Sequence, residues 1–266
     1  MEGKLLYALR ADLRQAFSLP FFLSVFGVSL CFALDNLQDL KFIFSGHMCI
    51  QYYYFHAFCF GGAFCTYLLP ILAAVPFAAS YSEDVNHHIL MYKITRTGLH
   101  PYFTSKILAT VLSGGLSISL GGLLFFLILG IWLPVTSELN LFEMQDMPYA
   151  AYLAVRSGVP YLVIALFLLL LNGVLWSSVG LCVSAFIANP YVSLCSPMIF
   201  SFILVESGRL LRLPMHRRLD LLLCSRSALE SEWMTLLVLL GITIAVSLLF
   251  GGIFMLCAER RLKHDS

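Results

Sequence analysis

The sequence predicts an all-α polytopic membrane protein, with six transmembrane helices behind an N-terminal amphipathic interfacial helix. Three observations carry this expectation. Of the 266 residues, 60% are apolar and 12% charged, about half the charged share of an ordinary soluble domain. The mean hydropathy is +0.88. Uncharged apolar stretches also recur at the length of a bilayer-crossing helix, about 20 residues. Together these exclude a soluble enzyme. With Lys+Arg at 16 against Asp+Glu at 15, a net charge of +1, nothing points to nucleic acid. Six crossings leave little chain for anything outside the bilayer, so residues 1–266 read as a single transmembrane domain.

Residues 1–16 carry Leu5, Leu9 and Leu13 every four positions with Leu6 beside them, and Lys4, Arg10, Asp12 and Arg14 on the other face. That pattern is an interfacial helix with its basic groups toward anionic headgroups. The apolar run behind it is longer than a signal core and has no A-x-A pattern, so the segment reads as mature protein. The first span is Phe17 to Leu34 and the second Ala57 to Ala79. Between them, Gln51 precedes Tyr52, Tyr53, Tyr54 and Phe55, which fit an interfacial aromatic belt; Tyr53 is the candidate to line a pathway exit. The third span is Ile107 to Leu133 and the fourth Pro160 to Ala188.

The fifth, Tyr191 to Val205, has only 15 residues, at or below the usual minimum. Pro190 suits its start, because proline lacks an N–H that would be orphaned there anyway. The short link Ala188-Asn189-Pro190 predicts a tight antiparallel hairpin with the fourth span. Glu206 ends the fifth span at the outer interface. The loop 206–233 mixes leucines with Arg209, Arg212, Arg217, Arg218 and Arg226 and reads as an outer, re-entrant segment. Met234 to Ala258 is the last span.

Basic residues in short loops orient such a bundle. With the N-terminus inside, nine of them (Lys4, Arg10, Arg14, Lys93, Arg96, Lys106, Arg260, Arg261, Lys263) face the cytoplasm against seven outside. Five of those seven belong to the 206–233 loop. Both termini are therefore expected in the cytoplasm; the alternative is that Tyr191 to Val205 does not cross and the tail lies outside.

The five longest spans contain no Asp, Glu, Lys, Arg or His. Buried ionisable groups usually mark proton relays and ion sites, so an ion-coupled carrier is disfavoured and energy must come from elsewhere. Asn172 is the one strongly polar side chain in mid-span, suited to an interhelical hydrogen bond or a pathway. Ser113, Ser117 and Gly121 repeat every four residues on the third span, as Gly173 and Ser177 do on the fourth. Such faces let helices approach closely within a bundle or a dimer.

The eight cysteines form no C-x-x-C pair and no disulfide framework; Cys49 and Cys224, both on the outer side, are the pair a bridge would join. His47, Cys49, His56 and Cys59 fit no familiar zinc spacing, and no metal or cofactor is expected on this chain. The outer loop from Pro134 to Gly158 carries Glu138, Glu143 and Asp146 against Arg156, an acidity that suits a cationic export substrate or a solvated surface.

The inner loop Ser80 to Lys106 is the most informative soluble segment. Glu83 and Asp84 come early, complementing a helix N-terminus; Asn86, His87 and His88 follow. Met91 and Tyr92 on a short exposed helix suit docking into a groove on another protein. Arg96 comes next, with Gly98 and Pro101 to stop the helix. At this point the chain resembles the type 2 permease family of ATP-binding-cassette (ABC) exporters. The resemblance covers nearly the whole chain, and its local echo is Glu83, Arg96, Tyr102 and Lys106. A glycine frequent after the acidic position in the family is replaced here by Asn86-His87-His88.

The resemblance implies that Glu83, Asp84, His87, His88, Met91, Tyr92 and Arg96 form a coupling helix seated on a separate ATPase subunit. Two such ATPases would hold ATP and Mg. A second permease, identical or homologous, would complete a pathway through the bacterial plasma membrane, and peptides head the expected cargo. The chain itself is not expected to be an enzyme. Leu112-Ser113-Gly114-Gly115-Leu116 imitates the signature loop of ABC ATPases, but no G-x-x-x-x-G-K-[ST] accompanies it, so it reads as transmembrane helix. An ATP-independent channel, assembly factor or receptor is the competing expectation.

Overall fold

In hydrocarbon every backbone N–H and C=O must be satisfied within its own segment, which leaves the helix as the form available to long apolar stretches. The structure, a computed structural model, describes residues 2–39, 49–59, 62–135, 148–149, 152, 158–229 and 231–265. Its helices are α1 (Glu2–Ala16), α2 (Leu19–Asp35), α3 (Ile50–Tyr54, running into a π turn at Phe55–Cys59), α4 (Ala63–Ala74), α5 (Ser80–Asn86), α6 (Leu90–Thr97), α7 (Leu99–Leu129), α8 (Val159–Phe186), α9 (Pro190–Leu210), α10 (Leu219–Leu223) and α11 (Glu232–Asp265). No strand occurs among the described residues. Four helices, α7, α8, α9 and α11, are each long and apolar enough to cross a bilayer. The bent pairs α1 with α2 and α3 with α4 raise that number to six.

Several boundaries differ from those the hydropathy suggests. The helix expected from Ile107 begins at Leu99, because the polar groups of its first two turns are satisfied inside the protein. The marginal 191–205 stretch is a 21-residue helix ending at Leu210. Glu206 therefore lies a turn inside α9, paired with Arg209 at 3.1 Å. The stretch 57–79 is not one straight helix. It breaks at Gly62, where the Asp35 carboxylate of α2 accepts hydrogen bonds from the Phe64 and Cys65 amides at 3.0 and 2.7 Å. Those are orphan donors of the α4 N-terminus, capped here by a neighbouring helix. A Cβ at residue 62 would collide with that carboxyl. The amphipathic helix α1 meets α2 at a 50° bend.

Small residues set the tightest crossing. On α7, Gly114 faces Ser177 of α8 and the Ala73 carbonyl of α4, while Gly115 faces Val174. Gly173 of α8 sits directly against the Gly114 backbone. The Ser-Gly-Gly string thus has a packing reason: it lets the two longest buried helices touch backbone to backbone. Ser113, Ser117 and Gly121 are fully enclosed within the chain, Gly121 against Val28 of α2. Of the two settings their spacing allows, a bundle or a dimer, the structure shows these residues packed within the bundle of this chain.

The α8–α9 connection is tight, with the Asn189 side chain accepting from the Tyr191 amide at 2.9 Å and Pro190 in the first turn. Pro197 has no N–H to offer the Ser193 carbonyl; the Ser196 hydroxyl donates to that carbonyl instead, at 3.1 Å.

The main core lies toward the end of the bundle that holds α3 and α10. Phe32 stacks on Tyr54 with centroids 5.8 Å apart and meets Phe125 at 5.3 Å. Tyr53 is fully buried there, its hydroxyl donating to the Asp39 carbonyl at 2.9 Å. This corrects the aromatic-belt and exit reading of Tyr53: α3 turns inward and packs against α7 instead of lying at an interface. The same end is tied by the Ile50 amide to the Pro134 carbonyl (3.1 Å) and by Gln51 to the Gly158 carbonyl (3.2 Å). Leu222 and Leu223 of α10 are buried in this core. Cys224 stands outside any disulfide. Burial and the Asp220 charge push the Cys224 thiol up to about 12 against a smaller opposing effect of Arg226.

Candidate functional site

The opposite end, here the basal end, gathers α1, α5, α6, the start of α7 and the ends of α8 and α11. Tyr81, Leu90, Tyr102, Phe103, Leu181, Ala185, Phe254 and Ala258 form its apolar cluster. Two short helices build the outer surface. The chain leaves α5 through His88, at φ +56°, and leaves α6 through Gly98, at φ +93°. Both values lie in the left-handed region that favours glycine, so Gly98 supplies the sharp α6–α7 turn without strain.

Of the residues expected to dock a partner, Glu83, His87, His88, Met91, Tyr92 and Arg96 are all exposed. Met91 and Tyr92 are 57% and 67% exposed, an unusual display for large apolar side chains. Asp84 departs from the expected set: it is 2% exposed and points inward. It cannot touch a docked protein, and its role is internal.

Asp84 sits in a buried ionic knot. One carboxylate oxygen accepts from Lys93 Nζ of α6 at 2.7 Å. The other accepts from the Tyr102 hydroxyl at 2.6 Å and lies 3.0 Å from Lys106 Nζ. Lys106 is wholly buried, with Asp12 of α1 at 3.5 Å on its other side. The approach to Asp84 at 3.0 Å is an ionic contact without hydrogen-bond alignment. The Lys106 ammonium also lies 4.6 Å from the Phe77 ring centroid and 5.5 Å from that of Tyr102. The Ser105 hydroxyl donates to Asp12. Two carboxylates and two ammonium groups balance, so Asp12, Asp84 and Lys106 are buried and the partly exposed Lys93 completes a knot of no net charge joining α1, α5, α6 and α7. Isolated, any of them would be costly in so dry a place.

Only part of the knot was foreseeable. Of Glu83, Arg96, Tyr102 and Lys106, singled out in the sequence, only Tyr102 and Lys106 turn into the knot, and the inward acid is Asp84. Asp12 reads from sequence as a headgroup-facing charge, but the structure buries it at 6% exposure. The usable signal was local: Ala8, Asp12 and Ala16 repeat every four residues, a line of small side chains with one carboxylate among them, and all three are buried.

Burial opposes ionisation of Asp84. The charges of Lys106 and Lys93 and the hydrogen bonds from Lys93 and Tyr102 outweigh it and hold its pKa below the ordinary carboxylate value. A carboxylate with a depressed folded-state pKa adds stability that is complete above its unfolded value, about 4, and is lost as pH falls through the folded one. The stability difference between wild type and Asp84→Asn, followed by circular dichroism in detergent, is therefore expected to stay flat from about pH 7 to about pH 5. It should narrow below about pH 4. A difference that changes between about pH 5 and about pH 7 would contradict this reading.

The remaining sequence candidates lie elsewhere. Asn172, 6% exposed, lines a small cavity of about 50 Å³ with Thr66, Trp176, Ser201 and Asp220. That volume is enough for about one or two waters. Glu206 is partly exposed beside Arg209. Glu138, Glu143, Asp146 and His47 lie outside the described residues. Among the described residues no group of three His, Cys, Asp or Glu side chains converges as for a metal ion.

A helical chain with four to six bilayer-length apolar helices is a multi-pass membrane protein. No protein-family model, curated protein or solved structure matches it.

Proposed function

We propose that the chain is the permease subunit of an ABC exporter in a bacterial plasma membrane, with the basal end and both termini in the cytoplasm. Paired with a second permease, identical or homologous, it forms the path for a peptide or other amphipathic substrate. Two separate ATPase subunits hold ATP and Mg and drive it; this chain performs no chemistry. One observation carries the reading: the α5–α6 pair displays Glu83, Met91 and Tyr92 to the outside while its inner side is ion-paired to Lys106 of α7, which in turn holds Asp12 of α1. A surface so fastened moves as one body with the bundle. A push from a docked ATPase then reaches α7, which crosses the bilayer, and biases the bundle between two states.

The test is co-purification of a soluble P-loop ATPase with this chain from its native membrane, followed by ATPase stimulation. Glu83→Arg combined with Met91→Arg is expected to weaken association by tenfold or more, the size of an interface hot spot (~2 kcal/mol). Stimulation should fall with it, while thermal stability changes by less than about 0.5 kcal/mol, as for exposed positions. Unchanged association would overturn the docking assignment. If no P-loop ATPase accompanies the wild-type chain, the ATP-independent channel, assembly-factor or receptor reading takes its place.

A further inference from the structure

Between α1 and α6 lies an open cleft of about 400 Å³, within the roughly 300–1,000 Å³ range of small-molecule sites. Its walls are Tyr7, Ala8 and Ala11 of α1, Ile89 just before α6, and Tyr92 and Arg96 of α6. The Arg96 guanidinium leans across it, 4.9 Å from the Tyr7 ring centroid. Arg10 and Arg14 border the adjoining surface of α1 beside Tyr7 and Ala11. The three arginines have no carboxylate within ion-pair distance among the described residues. The one acid at the cleft, Asp12, is committed to Ser105 and Lys106, and Lys93 is committed to Asp84. The cleft is therefore cationic and uncompensated, with an apolar and aromatic floor.

We infer that this cleft holds the phosphate headgroup of an anionic phospholipid from the leaflet on which α1 lies. Guanidinium groups bind phosphate oxygens through paired N–H donors. The alanines, Ile89 and the two tyrosines offer apolar surface for the glycerol and first methylenes of the same molecule. Leu6, 69% exposed, continues that surface along α1. A soluble anion would use the arginines but leave this apolar wall wet, and the α1–α2 bend sets the cleft beside a helix that enters the bilayer. The lipid then bridges α1 and α6, the two elements that the ionic knot also joins. It uses the Arg96 side of α6 and shares Tyr92 with the docking surface, while Glu83 and Met91 lie outside the cleft.

The test uses the purified chain alone in neutral detergent, with no ATPase, so its outcome is separate from the exporter reading. Binding of short-chain phosphatidylglycerol, of phosphatidylcholine with the same acyl chains, and of inorganic phosphate is measured by native mass spectrometry and thermal shift. Phosphatidylglycerol is expected to bind at least tenfold more tightly than either of the others. Arg96→Gln and Arg14→Gln should each weaken it about fivefold, the usual contribution of one basic residue at an anionic lipid surface. Arg96→Lys, which keeps the charge, should retain most of the binding. Arg14 is exposed, so its variant reports on binding even if Arg96→Gln loosens α1. Equal binding of the two lipids, phosphatidylglycerol binding indifferent to both glutamine variants, or full competition by inorganic phosphate would each overturn the assignment.

Discussion

Replacing Lys106 with Met is expected to destabilise the protein by about 3–5 kcal/mol, the usual cost of removing one partner from a buried ionic cluster. Lys106 is wholly buried and is the only group in the knot that touches both Asp12 and Asp84. Without it, Asp84 keeps Lys93 and Tyr102, whereas Asp12 keeps only a serine hydroxyl. The loss should concentrate on α1. Trypsin should cut faster at Arg10 and Arg14 in Lys106→Met, and the unfolding midpoint in detergent should fall. Adding Asp12→Asn to Lys106→Met should recover part of the loss, because it removes the carboxylate left without a counter-charge. Lys93 makes a useful contrast: its side chain is 30% exposed and holds a single carboxylate, so Lys93→Met should cost no more than about 1 kcal/mol. Equal effects at the two lysines would mean that burial does not govern the knot.

Gly173→Ala is the second large effect. A methyl group there would enter the Gly114 carbonyl oxygen and come within 2.9 Å of the Gly115 Cα. These are backbone atoms of α7, which cannot rotate away as a side chain could. Either α7 and α8 separate, or the overpacking strain remains, and we expect a cost of about 2–3 kcal/mol. Gly241 and Gly252 of α11 have no atom within 4 Å of an added Cβ. There the same substitution should be neutral or stabilising by up to about 1 kcal/mol, since alanine is the better helix former. Unfolding of the three variants in detergent checks both signs at once. A tolerated Gly173→Ala would show that the α7–α8 contact is looser than the backbone distance indicates.

The crossing at Gly114 and Gly173 also shows how far spacing carries. A four-residue repeat of small residues is visible on α7 at 113, 117 and 121, and it does mark a packed face. It does not say which neighbour that face meets. The closest approach is made one residue along, at Gly114 and Gly115, because α7 is surrounded by α2, α4 and α8 and each takes a different side of it. Tyr53 teaches the same lesson. An aromatic run beside a span fits an interfacial belt by composition, but the sharp turn after α3 folds it into the core, and that turn depends on the Asp35 carboxylate reaching α4 from another helix.

What the sequence determined by itself is the class of solvent and the class of secondary structure. Uncharged apolar runs of bilayer length cannot leave their backbone groups unpaired in hydrocarbon, so helices follow from composition alone, as does their approximate number. The hairpin at Asn189-Pro190 and the outward Glu83, Met91 and Tyr92 were legible too, because caps, breakers and exposure on a short helix are local matters. Which charges are buried was decided only by tertiary structure. Asp12, Asp84, Lys93 and Lys106 look like surface charges at the ends of helices. Asp12, Asp84 and Lys106 are tolerable inside only because they meet one another and the partly exposed Lys93, and the partners come from α1, α5, α6 and α7, separated by as many as 94 positions in the chain. Pairing across that separation is a property of the packed bundle, and no window of sequence contains it.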